Sequence, residues 1–200
     1  MSDRIPLVDL AAQHASIESE LREALTRAAR RTDFILGESV ATFEGAFAKF
    51  SGTAYCVGVA NGTDALELIM RAVGIGPRDN VILPANTFVA TAMAVVRAGA
   101  RPVVVDCEED AFLIDPSAAK VALDAGARAV IGVHLYGQMA AVEELAKICA
   151  ETEALFIEDA AQAHGATERS WTGNTRAGRR RELLPGQESR RARRRRRGDH

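Results

Sequence analysis

Hydrophobic and polar positions follow two different rhythms along this chain of 200 residues. In the segment 11–31, Ile17, Leu21 and Leu25 recur at the spacing of one helix face, and charged residues occupy the opposite face. This pattern predicts one amphipathic helix. From residue 54 onward, short uninterrupted apolar runs alternate with helical patterns, which predicts five strands separated by helices.

The predicted strands are continuous apolar runs and not alternating ones. They are AYCVGVAN (54–61), NVILPA (80–85), RPVVVDC (101–107), RAVIGVHLYG (128–137) and ALFIEDAA (154–161). Helices are predicted between them, at 62–76, 88–100, 115–127 and 139–153. Such strands are typical of a mainly parallel sheet with helices on both faces, so the predicted fold class is α/β. In these sheets, ligands bind at the carboxyl ends of the strands.

This rhythm ends after residue 167, and the charge balance changes at the same place. Residues 1–167 hold 13 Lys and Arg against 23 Asp and Glu, whereas residues 168–200 hold 12 Arg against 4 acids. The last segment also has too few large apolar side chains to bury. We therefore expect a folded domain over 1–167 and a disordered basic tail over 168–200.

The composition is that of a soluble globular protein and excludes several other classes. Apolar residues make up 48% and charged residues 26% of the chain, and no stretch resembles a membrane span or a signal peptide. Cys56, Cys107 and Cys149 are odd in number and form no CxxC pair, so neither a metal site nor a disulfide framework is predicted. We expect a cytoplasmic protein with no membrane partner.

The stretch NGTDAL follows the first predicted strand and is a candidate anion site. Gly62 and Thr63 would open a helix, where backbone N–H groups and a hydroxyl at the positive end of the helix dipole suit a phosphate. Asn61 and Asp64 are also good capping residues, so the same stretch has a purely structural interpretation. The patterns GxGxxG and GxxxxGK[ST] do not occur, which excludes the dinucleotide fingerprint and the P-loop.

Two other strand ends carry candidate residues. Phe88 follows the second predicted strand, where it would either stack on a planar ligand or pack in the core. Of the adjacent acids Glu158 and Asp159, we expect one to point outward and Asp159 to lie at the sheet edge, where a carboxylate requires a cation, a salt bridge or a cap. A phosphate site, an aromatic plate and a carboxylate for a protonated ring nitrogen together suit pyridoxal phosphate.

Five stretches between about Ile5 and Thr167 occur in the order and spacing of one known family. They are IPLVDL, NGTDALELIMRA, VILPANTFVATAMAVVRAGARPVVVD, HLYGQMA and IEDAAQAHGA. The chain resembles the N-terminal part of the DegT/StrS-type sugar-nucleotide aminotransferases, which are fold-type-I pyridoxal-phosphate enzymes. This resemblance implies a three-layer aminotransferase large domain with a mainly parallel sheet, here truncated.

The resemblance also implies an activity and a set of site residues. Family members move an amino group, usually from glutamate, to a keto-sugar attached to a nucleotide, and they work as homodimers. By resemblance, Gly62 and Thr63 hold the cofactor phosphate and Phe88 stacks on the pyridine ring. Asp159 pairs with the ring nitrogen, and Gln162 lies near the ring hydroxyl.

The catalytic lysine of the family has no counterpart among the lysines of this chain. In the family it lies beyond the IEDAAQAHGA motif, in a stretch of the form SFYPGKNLGALGDGGA, and it forms the Schiff base and transfers the proton. The three lysines here, Lys49, Lys120 and Lys147, all precede Asp159. We therefore expect this chain itself to be inactive, although it resembles active aminotransferases.

A shifted reading frame would explain the basic tail. One choice of codons for SFYPGKNLGALGDGGA, preceded by a single G and read one base earlier, encodes ELLPGQESRRARRRRR, which is residues 182–197. Gln187 then occupies the codon position of the missing lysine. We expect the frame to be lost somewhere after about Thr167.

Three alternatives remain open. The first is a basic-tailed nucleic-acid-binding protein, but Trp171 is the only aromatic residue in the tail and nothing there suits base stacking. The second is a dehydratase of the same fold, which uses a histidine in place of the lysine; no histidine here occupies that position. The third is a non-catalytic fragment that still binds the cofactor or a sugar nucleotide.

Overall fold

The computed structural model describes residues 9–32, 34–167 and 178–180, and it divides into two compact units. The first comprises the residues up to 48 together with 55–58, and the second comprises 49–54 and the residues from 59 onward. The predicted tail at 168–200, with Gln187, lies outside the described residues except for 178–180.

The first unit is helical. It contains α1 (Leu10–Ala15), α2 (Glu18–Arg31) and most of α3 (Glu38–Phe50). The single helix predicted at 11–31 is therefore two helices, and the Ser16 hydroxyl donates a hydrogen bond to the Gln13 carbonyl (2.8 Å) where they separate. A side chain that bonds a nearby carbonyl competes with the regular helix pattern, which accounts for the break.

Helix α3 is absent from the sequence prediction. Its segment, ESVATFEGAFAKF, contains a glycine and three phenylalanines, which lower the intrinsic helix preference. The rings of Phe43 and Phe47 lie 5.5 Å apart on successive turns, and this contact compensates for part of the weak preference.

The segment 54–61, predicted as the first strand, is not a strand in the structure. Among the described residues no strand pairs with it. The N–H of Gly58 donates to Glu44 Oε1 (2.7 Å) and not to a neighbouring backbone, and Val57 is 76% exposed. An apolar run enters a sheet only where a partner strand accepts its backbone hydrogen bonds, and this information is absent from the periodicity.

The second unit contains a five-stranded sheet in the order β2-β1-β3-β4-β5. Its strands are β1 (Asn80–Pro84), β2 (Arg101–Val105), β3 (Ala129–Val133), β4 (Leu155–Asp159) and β5 (Gly178–Arg180). Strands β1 to β4 are parallel, as predicted, whereas β5 pairs antiparallel with β4. Strand β5 lies within the segment 168–200, for which the sequence predicts a disordered tail.

Four helices cover the two faces of this sheet. They are α4 (Gly62–Ala72), α5 (Val89–Arg97), α6 (Pro116–Asp124) and α7 (Val142–Glu151). Helices α4 and α5 pack together on one face, and α6 and α7 pack together on the other. The three-layer α/β architecture with a mainly parallel sheet is thus confirmed.

The core explains why the strands are continuous apolar runs. Every residue of β3 is buried, and β1 is buried from Val81 to Pro84. Both faces of these central strands contact helices, so neither face can carry polar side chains. In the described ranges, no helix is long and apolar enough to cross a membrane.

Candidate functional site

Helices α4 and α5 begin at the same edge of the sheet as the carboxyl ends of the strands. Helix α5 follows the end of β1 directly, and Arg71 Nη2 near the end of α4 donates to the carbonyl of Arg97 at the end of α5 (2.6 Å). Because α4 ends shortly before β1 begins and α5 begins shortly after β1 ends, the N-terminal ends of both helices face the carboxyl edge. The residues that begin α4 and α5 therefore share an edge with the last residues of β4.

Asp159 is the last residue of β4 and is half-buried. Its Oδ2 accepts a hydrogen bond from Thr91 Oγ1 (3.0 Å), and its Oδ1 accepts one from the backbone N–H of Ala161 (3.3 Å). Because the Thr91 hydroxyl donates to Asp159, the Thr87 hydroxyl must donate to Thr91 across their 2.9 Å contact. The hydroxyl of Thr91 on the first turn of α5, with that of Thr87 just before the helix, thus holds the carboxylate on the α5 side of the sheet.

The neighbouring acid does not point outward, which corrects the sequence prediction. Glu158 is 1% exposed and its Oε1 lies 3.3 Å from Nε2 of His134, which is fully buried. Because the Nδ1 of His134 accepts the N–H of Ala140 (3.1 Å), the ring proton is assigned to Nε2, which donates to Glu158. Successive strand residues face opposite sides of the sheet, so Glu158 points toward the α7 side and Asp159 toward α5.

At the start of α4, a side chain caps the helix and two backbone N–H groups have no protein acceptor among the described residues. The side chain of Asn61 accepts from the N–H of Asp64 (2.9 Å), as the structural interpretation predicts. In the described part of the chain, the N–H groups of Gly62 and Thr63 donate to no protein acceptor, because the first residues of a helix have no preceding carbonyl to bond. A Cβ on Gly62 would meet nothing within 4 Å, so an anion has room to approach these two donors.

Phe88 caps α5 and is 70% exposed, which does not agree with core packing. Its carbonyl accepts the N–H of Thr91 (3.1 Å), the same residue whose hydroxyl contacts Asp159. One helical turn therefore links the exposed ring of Phe88 to the carboxylate of Asp159.

Gln162, three residues after Asp159, is exposed, and its carbonyl accepts the N–H of Gly137 (3.1 Å).

Two of the three lysines lie on the face of the sheet opposite to this site. Lys120 forms an ion pair with Asp124 on α6 (2.7 Å), and Lys147 is exposed on α7. Both helices cover the face of the sheet opposite to α5. Lys49 is exposed on α3. Within the described ranges, no group of three His, Cys, Asp or Glu side chains is close enough to hold a metal ion.

Sequence reasoning did not identify Thr87 and Thr91, which support Asp159, or the buried contact between His134 and Glu158. The two threonines had a usable signal, since they are four residues apart at the start of a predicted helix and so share a face. The contact between His134 and Glu158 joins two strands, and a single sequence gives no signal for such a pair.

The chain belongs to the DegT/DnrJ/EryC1/StrS aminotransferase family, whose model matches residues 15–180. The resemblance read from the sequence motifs is thereby confirmed. The match begins later than Ile5 and ends beyond Thr167, so it includes β5.

Three similar proteins illustrate the family. A dTDP-3-amino-3,6-dideoxy-alpha-D-galactopyranose transaminase from Aneurinibacillus thermoaerophilus is 41% identical over 81% of this chain and 45% of its own length. The structure of DesV from S. venezuelae in complex with a ketimine intermediate is 38% identical, with a TM-score of 0.79, over 82% of this chain and 44% of that one. The structure of NtdA from Bacillus subtilis with bound cofactor PMP is 28% identical, with a TM-score of 0.79. The match covers 85% of this chain and 39% of that one. This chain thus spans less than half the length of each.

Proposed function

We propose that this chain is the cofactor-holding part of the large domain of a sugar-nucleotide aminotransferase that uses pyridoxal 5'-phosphate. The observation that carries the proposal is the carboxylate of Asp159, fixed by Thr91 Oγ1 at 3.0 Å at the carboxyl end of a parallel strand. A half-buried carboxylate whose side-chain partner is a neutral hydroxyl favours a cationic partner.

We propose that the other site residues bind the remaining parts of the cofactor. The N–H groups of Gly62 and Thr63 would bind its phosphate, and the exposed ring of Phe88 would cover one face of the pyridine. Asp159 would keep the ring nitrogen protonated, and Gln162 would lie near the ring hydroxyl. When bound, pyridoxal phosphate supplies an electron-poor ring that stabilises negative charge on the reacting carbon.

The substrate proposal follows from the family and its members. The related transaminase from Aneurinibacillus thermoaerophilus is named for a dTDP-linked amino sugar. For the complete protein we propose that the acceptor is a nucleotide-linked keto-sugar. The donor is an amino acid, and the family resemblance implies glutamate. We propose a homodimer as the working form.

We propose further that this chain binds the cofactor without catalysing the transfer. Neither Lys120 nor Lys147 lies on the α5 side of the sheet, so neither can form the covalent bond to the cofactor or move the proton. The frame-shifted origin of residues 168–200 is the explanation we propose for the missing lysine. Sequencing the gene tests this explanation. A single-base change after the codon of Thr167 should restore a lysine at position 187. If no single-base change in this region restores a lysine, the explanation is rejected.

Cofactor titration of the chain tests the site directly. Binding of pyridoxal phosphate, followed by its absorbance, should weaken about tenfold or more in Asp159→Asn, since a charge-assisted hydrogen bond is lost. The matched control is Asp124→Asn, which removes an exposed carboxylate on α6 that pairs with Lys120 and should leave binding unchanged. Equal affinity of wild type and Asp159→Asn would contradict the proposed site.

A further inference from the structure

The turn that follows β3 places a tyrosine in an unfavourable backbone conformation. Tyr136 and Gly137 have φ values of 56° and 78°, and the N–H of Gln138 donates to the carbonyl of Leu135 (2.9 Å). Two consecutive positive φ values closed by this bond are typical of a type I′ turn, whose central positions favour Gly, Asn and Asp. A tyrosine at the first central position is an unfavourable choice for the turn itself.

Contacts on both sides of this turn hold its backbone, so the position of Tyr136 is restricted. Leu135 is 5% exposed, and the buried ring of His134 accepts the N–H of Ala140 on the far side of the turn (3.1 Å). The N–H of Gly137 donates to the carbonyl of Gln162 (3.1 Å), which joins the turn to the segment that follows Asp159. The side chain of Tyr136 is nonetheless 66% exposed.

The other strained residues of the second unit show that this placement is specific to the ligand edge. Among its described residues, four non-glycine residues have positive φ: Arg78, Phe112, Tyr136 and Glu153. Arg78 and Glu153 precede β1 and β4, so they lie at the amino edge, and both are charged. Phe112 and Tyr136 follow β2 and β3 at the carboxyl edge, and their aromatic side chains are 59% and 66% exposed.

Neither burial within the described residues nor backbone preference accounts for Tyr136, and a binding role for its ring would do so. The cofactor's phosphate and ring nitrogen are already matched by the start of α4 and by Asp159, and its ring by Phe88. An exposed phenol has an apolar face for a sugar or base and a hydroxyl for a polar group, a combination common in small-molecule sites. The turn lies beside Gln162, at the edge where a substrate must approach the cofactor.

We propose that Tyr136 contacts the substrate, a nucleoside diphosphate sugar, by stacking and by a hydrogen bond from its hydroxyl. This inference rests on the proposed function of the same site. It assigns to the HLYG stretch a role in substrate binding that is separate from holding the cofactor.

Tyr136→Asn separates binding from folding, because asparagine suits the turn but lacks the ring. In the chain loaded with pyridoxal phosphate, calorimetric titration with dTDP-glucose and with UDP-N-acetylglucosamine should show affinity for at least one of them. Tyr136→Asn should weaken that affinity about tenfold or more, since the stacking contact is lost. It should leave cofactor affinity unchanged and the melting temperature unchanged or higher. Tyr136→Phe should bind the nucleotide sugar with an affinity between those of wild type and Tyr136→Asn.

The matched control is Glu153→Asn, which relieves the same backbone conformation (φ 56°) at the opposite edge. It should not change either affinity. The proposal is overturned if Tyr136→Asn binds the nucleotide sugar as wild type does, if it lowers the melting temperature while the control does not, or if the loaded wild type binds neither probe. A wild type that fails to bind pyridoxal phosphate would instead reject the proposed function on which this inference rests.

Discussion

The site depends on single hydrogen bonds at the residue scale, and the contact from Thr91 to Asp159 is the clearest example. Thr91 is 1% exposed and lies between Thr87 and the carboxylate, so its hydroxyl has no access to water. This hydrogen bond holds the carboxylate on the α5 side of the sheet, which the charge of Asp159 alone does not ensure.

Thr91→Val should weaken cofactor binding through this contact. Valine keeps the shape but leaves Asp159 with only the Ala161 N–H, so we expect a severalfold loss of affinity for pyridoxal phosphate and a loss of about 1 kcal/mol in the free energy of unfolding. Thr152→Val is the control, because Thr152 Oγ1 donates to the Ile148 carbonyl (2.9 Å) at the end of α7. Thr152→Val should lower the free energy of unfolding but leave the affinity for pyridoxal phosphate unchanged. If both variants bind the cofactor equally well, Thr91 does not position Asp159.

Cys149 provides a second test at the residue scale, through pH. Burial raises the pKa of its thiol from 9.0 to about 12. The folded protein therefore keeps a proton that the unfolded chain loses, so this contribution to stability is complete below pH 9.0 and decreases as pH rises toward about 12. Urea unfolding across this range should show a steeper loss of stability in wild type than in Cys149→Ala. Parallel curves would mean that the thiol is accessible to water.

At the scale of elements, the sheet packs so closely that β3 requires a glycine. A Cβ on Gly132 would lie 2.8 Å from Cε2 of Phe156 and 3.5 Å from Cδ1 of Leu145. Phe156 is itself 4% exposed and belongs to the core on the α7 side, so its ring has little room to move.

Gly132→Ala should therefore lower the free energy of unfolding by about 1–3 kcal/mol, the usual effect of overpacking a core. Gly62→Ala is the comparison, since the added Cβ there would meet nothing within 4 Å. It should leave stability nearly unchanged while hindering the approach of the cofactor phosphate. Denaturant unfolding of both variants checks the prediction, and a fully stable Gly132→Ala would show that Phe156 can rearrange freely.

Element prediction from the sequence succeeded where burial alone decides the structure. The apolar runs at β1, β3 and β4 follow from strands that are covered on both faces, whereas β2 is partly exposed at the sheet edge. The run at 54–61 has the same appearance but lacks a partner strand, and α3 depends on a contact between aromatic side chains. In the site, the positions of Phe88 and Asp159 could be predicted because they follow strands, whereas the support from Thr91 and the burial of Glu158 arise from contacts between elements.

At the scale of the whole molecule, we propose that the chain combines a cofactor-binding site with a reading frame that has lost the family's lysine. If the frame hypothesis is correct, a gene corrected by one base should encode a protein in which the lysine at position 187 binds the cofactor covalently. The corrected protein should transfer amino groups from glutamate to a nucleotide-linked keto-sugar, and the present chain should not. A corrected protein that remains inactive with a panel of such sugars would contradict the proposed substrate class.

The most direct test of the account is borohydride reduction of the present chain with pyridoxal phosphate, followed by mass spectrometry of its peptides. We predict that the cofactor binds but is removed by dialysis after reduction, with no stoichiometric adduct on Lys49, Lys120 or Lys147. A stoichiometric adduct on one of these lysines would contradict the claim that this chain holds the cofactor without a covalent anchor.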